Sequence, residues 1–119
     1  MIQASEVRIG NCTEQGKIIE LKQTVFRVEY TTDKKRTALI AYEDLKPTEL
    51  TEEILLKCGF KHLGNGFYEL LGSFVSLCNI GDVFFNAGFK GATIGNIKYL
   101  HQLQNLYFTL TGKELEINL

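Results

Sequence analysis

The amino-acid sequence predicts an α+β fold, with a strand-rich N-terminal part and a helix near the C-terminus. Residues 25–30 alternate apolar and polar side chains, which is the period of a half-buried strand. Residues 60–95 place seven glycines between short apolar runs, a pattern typical of antiparallel strands and tight turns. Residues 96–111 carry apolar side chains at helical spacing. Together these three patterns predict an α+β fold.

Residues 1–46 are predicted to contain strands and no helix. The predicted strands cover residues 7–9, 17–21, 25–30 and 37–42. Gly10-Asn11 and the polar loop from Thr31 to Lys34 provide turns between them. Four short strands in about 45 residues are typical of an SH3-like small β-barrel or a curled sheet. We therefore expect an SH3-like β-rich unit over residues 1–46.

A second, α+β unit is predicted over residues 47–119, and it begins at the single proline, Pro47. Thr51 is a favourable N-cap because its hydroxyl accepts a hydrogen bond from the first helical turn. The two glutamates that follow it suit the positive end of a helix dipole. These residues predict a helix over 51–58.

The remaining part of this unit is predicted to be a meander followed by a helix. An antiparallel meander of three or four strands covers residues 60–94, and Asn65-Gly66 marks one hairpin turn. The C-terminal amphipathic helix covers residues 96–111, with Gly112 as its C-cap. We expect this unit to pack with residues 1–46 as one compact body.

The composition is that of a folded chain with balanced charge. The 13 basic and 14 acidic residues give a net charge of −1, which disfavours non-specific nucleic-acid binding. Three cysteines without a Cys-x-x-Cys pair indicate reduced thiols. The first residues lack the apolar core of a signal peptide, and no apolar run approaches the roughly 20 residues of a membrane helix. We therefore expect a cytoplasmic protein with no membrane partner.

Two segments carry a resemblance to a known group of proteins. One is Leu50-Thr51-Glu52-Glu53, and the other runs from His101 to Tyr107 with the sequence His-Gln-Leu-Gln-Asn-Leu-Tyr. With these segments the chain resembles, over nearly its whole length, a family of short uncharacterised proteins of Bacteroidetes phages and prophages. The resemblance implies a phage-encoded accessory protein in the cytoplasm of the bacterial host. It implies no reaction and no catalytic residue.

The sequence shows none of the usual catalytic or metal-binding patterns. Cys58 and His62 are four residues apart, but the spacing to Cys78 and His101 is not that of a zinc module. Cys78 ends an apolar run, which is typical of a core thiol and not of a nucleophile. No Gly-x-Ser-x-Gly, His-Glu-x-x-His or Walker pattern occurs. We therefore predict no enzyme, no metal, no cofactor and no catalytic residue.

Residues 86–96 form the candidate ligand-binding segment. Glycines such as Gly91 let backbone N–H groups approach an anion, and the segment is expected to lead straight into the last helix, whose N-terminus favours phosphate. Lys90 adds a positive charge, Thr93 a hydroxyl, and Phe89 a ring for stacking on a base. His101 is expected to line the wall of this site. The alternative is that these glycines serve only as turns.

The flank of the last helix is a candidate partner interface. His101, Gln104 and Phe108 form a stripe of polar and aromatic side chains between its apolar and polar faces. Such a stripe is typical of a protein interface or a ligand wall. A helix in a small α+β fold often touches two layers, so a second packing face explains the stripe equally well. The sequence leaves both interpretations open.

The leading functional hypothesis is a non-enzymatic phage accessory protein that inhibits a host defence by sequestering a nucleotide signal. Small subunits often build such pockets at shared interfaces, so we expect a homo-oligomer. Its partner is then a small nucleotide or a host defence protein. The first alternative is nucleic-acid binding by the SH3-like unit through Lys34-Lys35-Arg36. The second is an adaptor that binds a phage or host protein through the last helix.

Overall fold

The structure, a computed structural model, describes residues 7–30, 36–70 and 72–117. The predicted loop from Thr31 to Lys34 falls outside these residues, and so does Lys35. The described chain is a mixed α+β fold with two antiparallel sheets and two helices. It divides into a first unit, Met1–Thr48 with Tyr99–Asn105, and a second unit, Glu49–Lys98 with Leu106–Leu119.

The first unit contains a four-stranded antiparallel sheet in the order β1-β2-β3-β4. The strands are β1 (Cys12–Thr13), β2 (Gly16–Leu21), β3 (Val25–Glu29) and β4 (Thr37–Ala41). Along β3, Phe26 and Val28 point to one face and are fully buried, as the period of two requires. Together with Val7 and Ile18 they form the core of this unit.

The structure corrects the predicted start of this unit. The predicted strands 17–21, 25–30 and 37–42 correspond to β2, β3 and β4, but residues 7–9 form no strand. Arg8 and Asn11 instead close a turn. The Asn11 N–H donates to the Arg8 carbonyl at 3.1 Å, and the Arg8 N–H donates to Asn11 Oδ1 at 2.7 Å. Because Asn11 bonds the backbone locally, the chain turns here before the sheet begins.

The sheet of the first unit is open in the part of the chain that the structure describes. Its order is linear, and β1 and β4 do not pair, so these residues form no closed barrel. After β4 the chain makes a 3-10 turn, Tyr42–Asp44. An isolated bridge then joins Pro47 to Thr13 in β1.

The second unit contains a five-stranded antiparallel meander in which each strand pairs with the next one along the chain. The strands are β5 (Lys61–Gly64), β6 (Phe67–Leu70), β7 (Val75–Ile80), β8 (Phe84–Phe89) and β9 (Ala92–Ile97). Asn65 and Gly66 join β5 to β6 with φ values of 54° and 78°, the left-handed pair of a type I′ turn. The Asn-Gly signal in the sequence therefore identified this hairpin.

Two helices complete the described chain. In α1 (Glu52–Lys57), Oγ1 of the predicted N-cap Thr51 accepts a hydrogen bond from the Ile54 N–H at 3.3 Å. The second helix, α2 (Leu100–Thr111), follows β9. Neither helix of the described residues has the length and apolar character needed to cross a membrane.

Helix α2 begins later than the sequence predicts. β9 continues to Ile97, which pairs with Phe85, so residues 96 and 97 belong to the sheet. The backbone N–H of Tyr99 donates to Oε1 of Gln102 at 3.0 Å. This contact from the third helical residue back to the N-cap is one half of a capping box, and it sets the start of the helix.

The register of the second sheet separates a buried face from an open one. Tyr68, Leu77 and Ala87 are directly paired on neighbouring strands, and all three are buried. The side chains of the alternate residues point to the opposite surface, which we call the open face. The open face carries two rows of paired residues: Glu69, Ser76, Gly88 and Thr93, and Phe67, Cys78, Asn86 and Asn96.

Candidate functional site

The candidate ligand-binding segment forms a β-hairpin. Lys90 and Gly91 are the two turn residues between β8 and β9, with φ values of 52° and 84°. The segment 86–96 ends within β9, and residues 97–99 separate it from α2, so it does not lead straight into the last helix. The N–H groups at the start of α2 belong to a different unit from this turn.

Two aromatic rings contact the ammonium group of Lys90. Nζ lies 5.6 Å from the ring centroid of Phe74 and 5.4 Å from that of Phe89. The Lys90 backbone N–H also donates to the Phe74 carbonyl at 3.0 Å. These contacts position the positive charge at the end of the sheet, since a cation is attracted to the face of an aromatic ring.

Phe89 and Thr93 project from opposite faces of the sheet. Gly88 pairs with Thr93 on the open face, and Phe89 pairs with Val75 on the buried one. Neighbouring residues on a strand alternate between faces, so the Phe89 ring points away from the surface that carries Thr93. The predicted site, in which both residues contact one nucleotide, is therefore not formed by this hairpin.

The open face has a shallow depression of about 120 Å³ above Gly88. A side chain on Gly88 would fill it, because a Cβ atom there would lie 3.0 Å from Oγ of Ser76. Phe67, Asn86 and Thr93 also line the depression. Within the described chain, the hydroxyls of Ser76 and Thr93 make no hydrogen bond. The depression thus offers neutral polar groups beside one aromatic ring.

The stripe predicted on the last helix does not form one exposed surface. His101 is 1% exposed and Gln104 is 3% exposed, and both belong to the first unit. The Cys12 N–H donates to Oε1 of Gln104 at 2.8 Å, and Nε2 of Gln104 donates to the Gly10 carbonyl at 3.2 Å. Gln104 therefore acts as a packing residue. Phe108 belongs to the second unit and is 42% exposed.

A larger cavity in the second unit was not predicted from the sequence. It is a cleft of about 520 Å³ between the start of α1 and the turn from β7 to β8, and its volume is typical of ligand pockets. Glu49 and Glu52 line it on the helix side, and Asp82 lines it at the turn. Lys98 also contributes to the lining. We call it the acidic cleft, because three carboxylates line it with one ammonium group.

Tyr68 is a deeply buried residue of the acidic cleft and is 4% exposed. The ring of His62 stacks on it at 4.6 Å, and the ring of Phe85 meets it edge-on at 6.0 Å. Burial raises the pKa of the Tyr68 hydroxyl, and the charges of Glu52 and Asp82 raise it further. The hydroxyl therefore stays protonated and neutral, in the negative potential of two carboxylates.

Three contacts hold Glu52 and Asp82, the two carboxylates whose charges act on Tyr68. Oε1 of Glu52 lies 3.4 Å from Nδ1 of His62. Oδ1 of Asp82 accepts a hydrogen bond from Nδ2 of Asn79 at 3.0 Å, and the Asp82 N–H donates to Oδ1 of Asn79 at the same distance. No local pattern links Glu52 to Asp82, since they come from separate elements that only the folded chain brings together. Sequence reasoning assigned Glu52 to the helix dipole and gave Asp82 no role.

Comparisons with known proteins add no identification. No protein-family model, no curated protein and no solved structure matches the chain. The resemblance to phage proteins stays a prediction. The described residues also contain no group of three His, Cys, Asp or Glu side chains that could hold a metal ion. The assignment of function therefore rests on the surfaces described above.

Proposed function

We propose that the chain is a non-enzymatic binding protein that sequesters a nucleotide on the open face of its second sheet. The observation that carries the proposal is the pair of unbonded hydroxyls, Ser76 and Thr93, on either side of the glycine floor at Gly88. Phe67 supplies an exposed ring at the edge of the same depression. A flat base needs such an open platform with a ring and neutral donors and acceptors.

The charges near this platform favour one orientation of the nucleotide. Lys90 lies at the turn next to Gly91 and Ala92, which line the depression. Among the residues of the two open-face rows, Glu69 is the one that carries a carboxylate. It pairs with Ser76 and lies at one end of its row, and Thr93 lies at the other end. Because phosphate is repelled by Glu69, the phosphates point away from it, toward the β8–β9 turn.

The biological setting of this proposal follows from the sequence resemblance. A phage accessory protein that sequesters a nucleotide signal in the bacterial cytoplasm would inhibit a host defence without catalysis. We further propose a homo-oligomer, because a depression of about 120 Å³ is smaller than most ligand pockets and a second subunit would cover the ligand. His101 is buried, and it is not among the residues that line this depression.

The test is a matched pair of glycine substitutions. In Gly88→Ala the new methyl group lies 3.0 Å from Ser76 Oγ and occupies the depression, whereas a Cβ atom on Gly95 meets nothing within 4 Å. We expect Gly88→Ala to abolish binding of a nucleotide found in a panel of linear and cyclic nucleotides. Gly95→Ala on the neighbouring strand should bind as the original chain does. Native mass spectrometry measures both ligand and oligomeric state.

Two outcomes decide the proposal. Loss of binding in Gly88→Ala alone, together with weaker binding in Lys90→Gln, would support the platform and the orientation. A chain that retains no nucleotide from the whole panel, or a Gly88→Ala variant that binds normally, would refute it. Both glycine variants are first compared by circular dichroism, because only folded variants test the site.

A second candidate function concerns the first unit. We propose that it is an SH3-like unit, because the 3-10 turn Tyr42–Asp44 follows β4 and Pro47 then bridges to Thr13 in β1. This return of the chain across the open end of the sheet supports the nucleic-acid-binding alternative. That alternative depends on Lys34, Lys35 and Arg36, of which only Arg36 lies within the described residues. Binding that falls steeply with salt concentration would identify it.

A further inference from the structure

We propose that two copies of the chain associate by pairing their β4 strands antiparallel, with Leu39 on the two-fold axis. Strand β4 (Thr37–Ala41) is an edge of the first sheet, because in the described chain it pairs with β3 alone. The inference is independent of the nucleotide proposal, since no residue of β4 lines the depression on the open face. It holds for the ligand-free chain.

Strand β4 lacks the features that normally prevent strands of different molecules from pairing. Its five residues, Thr-Ala-Leu-Ile-Ala, include no charge, no proline and no glycine, and its register with β3 is regular over the whole strand. Exposed edges in proteins are usually short, charged, bulged or covered. Leu39, in the middle of β4, is 50% exposed. This edge is therefore suited to pairing with another strand.

Each of the other sheet edges in the described chain has a protective feature. β1 has two residues and is bridged to Pro47. β5 carries Lys61 and His62, and its register with β6 is irregular. β9 is uncharged, but its register with β8 shifts between Ala87 and Gly88. Because a bulge bends a strand away from a flat partner, β4 is the edge best suited to association.

The hydrogen bonds between β3 and β4 show which backbone groups of β4 point outward. The Tyr30 N–H donates to the Arg36 carbonyl at 3.1 Å, and the Tyr42 N–H donates to the Thr24 carbonyl at 3.4 Å. Opposite residues in an antiparallel pair alternate between bonded and non-bonded positions. Since Arg36 and Tyr42 are bonded to β3, Leu39 occupies a non-bonded position, and its N–H and C=O point away from β3. Two Leu39 residues on a two-fold axis can therefore exchange both hydrogen bonds.

The register centred on Leu39 also matches the sizes of the side chains. It places Ala38 of each copy opposite Ile40 of the other, so a small side chain meets a large one. Both residues are partly buried and pack against the core of the first unit. Pairing would join the two cores and remove apolar surface of both copies from water. A shift by one residue would instead direct these side chains to the opposite face.

The charges that flank β4 favour a second copy of this chain over another extended peptide. Lys34-Lys35-Arg36 precedes the strand and Glu43-Asp44 follows it. Arg36, Glu43 and Asp44 are all exposed. In an antiparallel pair Arg36 of each copy lies beside the acidic turn of the other, and opposite charges on neighbouring strands attract. A parallel pair would place like charges together, so the charges also select the antiparallel direction.

The first experiment measures association of the ligand-free chain by sedimentation velocity. The range is about 5 to 500 µM, because one pair of strands is a small interface and gives a weak dimer. We expect a reversible monomer–dimer equilibrium. Leu39→Lys should raise the dissociation constant of the dimer at least about tenfold, since it brings two positive charges together at the axis. A chain that stays monomeric over the whole range would overturn the proposal and leave β4 available to a strand of another protein.

Two control variants locate the interface. Ile94→Lys is the matched control, because Ile94 is 47% exposed and also lies on an edge strand, β9. It should leave the dissociation constant unchanged, and a loss of association equal to that of Leu39→Lys would contradict pairing through β4. Gly88→Ala fills the depression on the open face and should dimerise normally. The dimer and the nucleotide site can therefore fail separately.

Hydrogen exchange followed by NMR tests the register without a substitution. The Leu39 N–H is solvent-accessible in a monomer and hydrogen-bonded in the proposed dimer, so its protection should rise with protein concentration. The Ile40 N–H bonds to β3 in both states and serves as the internal reference. Rapid exchange at Leu39 under conditions in which sedimentation shows a dimer would overturn the β4 interface.

Reversal of the flanking charges tests the antiparallel direction. Arg36→Glu should weaken association severalfold, because it places carboxylates beside Glu43 and Asp44 of the other copy. Combining it with Glu43→Arg exchanges the two signs and should restore most of the affinity. If the combined variant associates no better than Arg36→Glu alone, the basic and acidic ends do not meet, and the antiparallel arrangement is wrong.

Discussion

At the scale of single residues, Gly16 is constrained more strongly than the sequence suggests. Its φ is 140°, and a Cβ atom at this position would lie 2.5 Å from the carbonyl oxygen of Glu29. Side chains rarely adopt this backbone conformation, and a carbonyl group of a paired strand cannot move away without breaking the sheet. Gly16 is therefore required by the close approach of β2 to β3.

We predict that Gly16→Ala lowers the free energy of unfolding by about 3 kcal/mol or more, through combined backbone strain and overlap. Gly72→Ala is the control, because Gly72 also has a positive φ of 84° but a Cβ atom there meets nothing within 4 Å. The control should cost about 1–2 kcal/mol, the strain of the left-handed conformation alone. Urea unfolding measures both values, and equal losses would mean that the close approach carries no penalty.

At the scale of elements, α2 is bonded to the start of β1 through one buried side chain. Gln104 accepts a hydrogen bond from the Cys12 N–H at 2.8 Å and donates one to the Gly10 carbonyl at 3.2 Å. Its own backbone carbonyl accepts from Nη2 of Arg8 at 3.1 Å. Burial also raises the pKa of the Cys12 thiol, against the opposing effect of the Gln104 hydrogen bond. These hydrogen bonds fix the position of Gln104, and with it the first turns of α2, against the turn before β1.

We predict that Gln104→Met destabilises the fold by about 1–3 kcal/mol, because two partly buried backbone groups, the Cys12 N–H and the Gly10 carbonyl, lose their partners. Gln15→Met is the matched control. Gln15 also bonds two backbone groups, the Asp44 carbonyl at 2.6 Å and the Lys46 N–H at 2.9 Å, but these bonds are exposed to solvent. Water can replace them, so the control should cost within about 0.5 kcal/mol. A thermal denaturation series that ranks the two variants equally would contradict this explanation.

The elements also show which parts of the fold the sequence could predict. Period-two alternation located β3, and Asn65-Gly66 located the first hairpin of the second sheet, because both are local signals. The end of β9 was missed, since Gly95 and Asn96 are weak strand formers that are held in the sheet by pairing with β8. Apolar periodicity cannot identify a buried polar residue such as Gln104, whose partners are distant in the sequence.

The candidate site was less predictable than the fold. The segment around Lys90 and Thr93 was identified by composition, but the alternation of side chains on a strand places Phe89 on the other face. The acidic cleft depends on Glu52, Tyr68 and Asp82, which are neighbours only in the folded sheet. A single sequence carries no signal for such a long-range combination.

At the scale of the whole molecule, the first unit is discontinuous in the sequence. It combines Met1–Thr48 with Tyr99–Asn105, so its strands and its helical segment are separated by the second unit. The Leu100 N–H donates to the Thr48 carbonyl at 2.8 Å, and Nδ2 of Asn11 donates to Oδ1 of Asn105 at 2.8 Å. The boundary predicted at Pro47 leaves Tyr99–Asn105 out of the first unit. A change of composition along the chain can mark where one continuous segment ends, but it cannot show that a distant segment belongs to the same unit.

We predict that a chain ending at Lys98 loses stability in its first unit, although every strand of that unit is retained. The Cys12 amide should then exchange its hydrogen rapidly, because its acceptor on Gln104 is gone. A chain ending at Thr111 is the control, since it keeps Tyr99–Asn105 and should retain protection at Cys12. Hydrogen exchange followed by NMR measures both, and strong protection of Cys12 in the shorter chain would contradict the discontinuous unit.

This discontinuity also has a consequence for biosynthesis. The contact between Cys12 and Gln104 joins residues 92 positions apart. At the usual rates of translation, roughly 5 to 18 s pass between the synthesis of these two residues. During that interval the nascent N-terminal sheet lacks its helical segment, and an incomplete unit with exposed apolar surface is prone to aggregation. The last helix to be synthesised therefore determines when the first part of the chain becomes native.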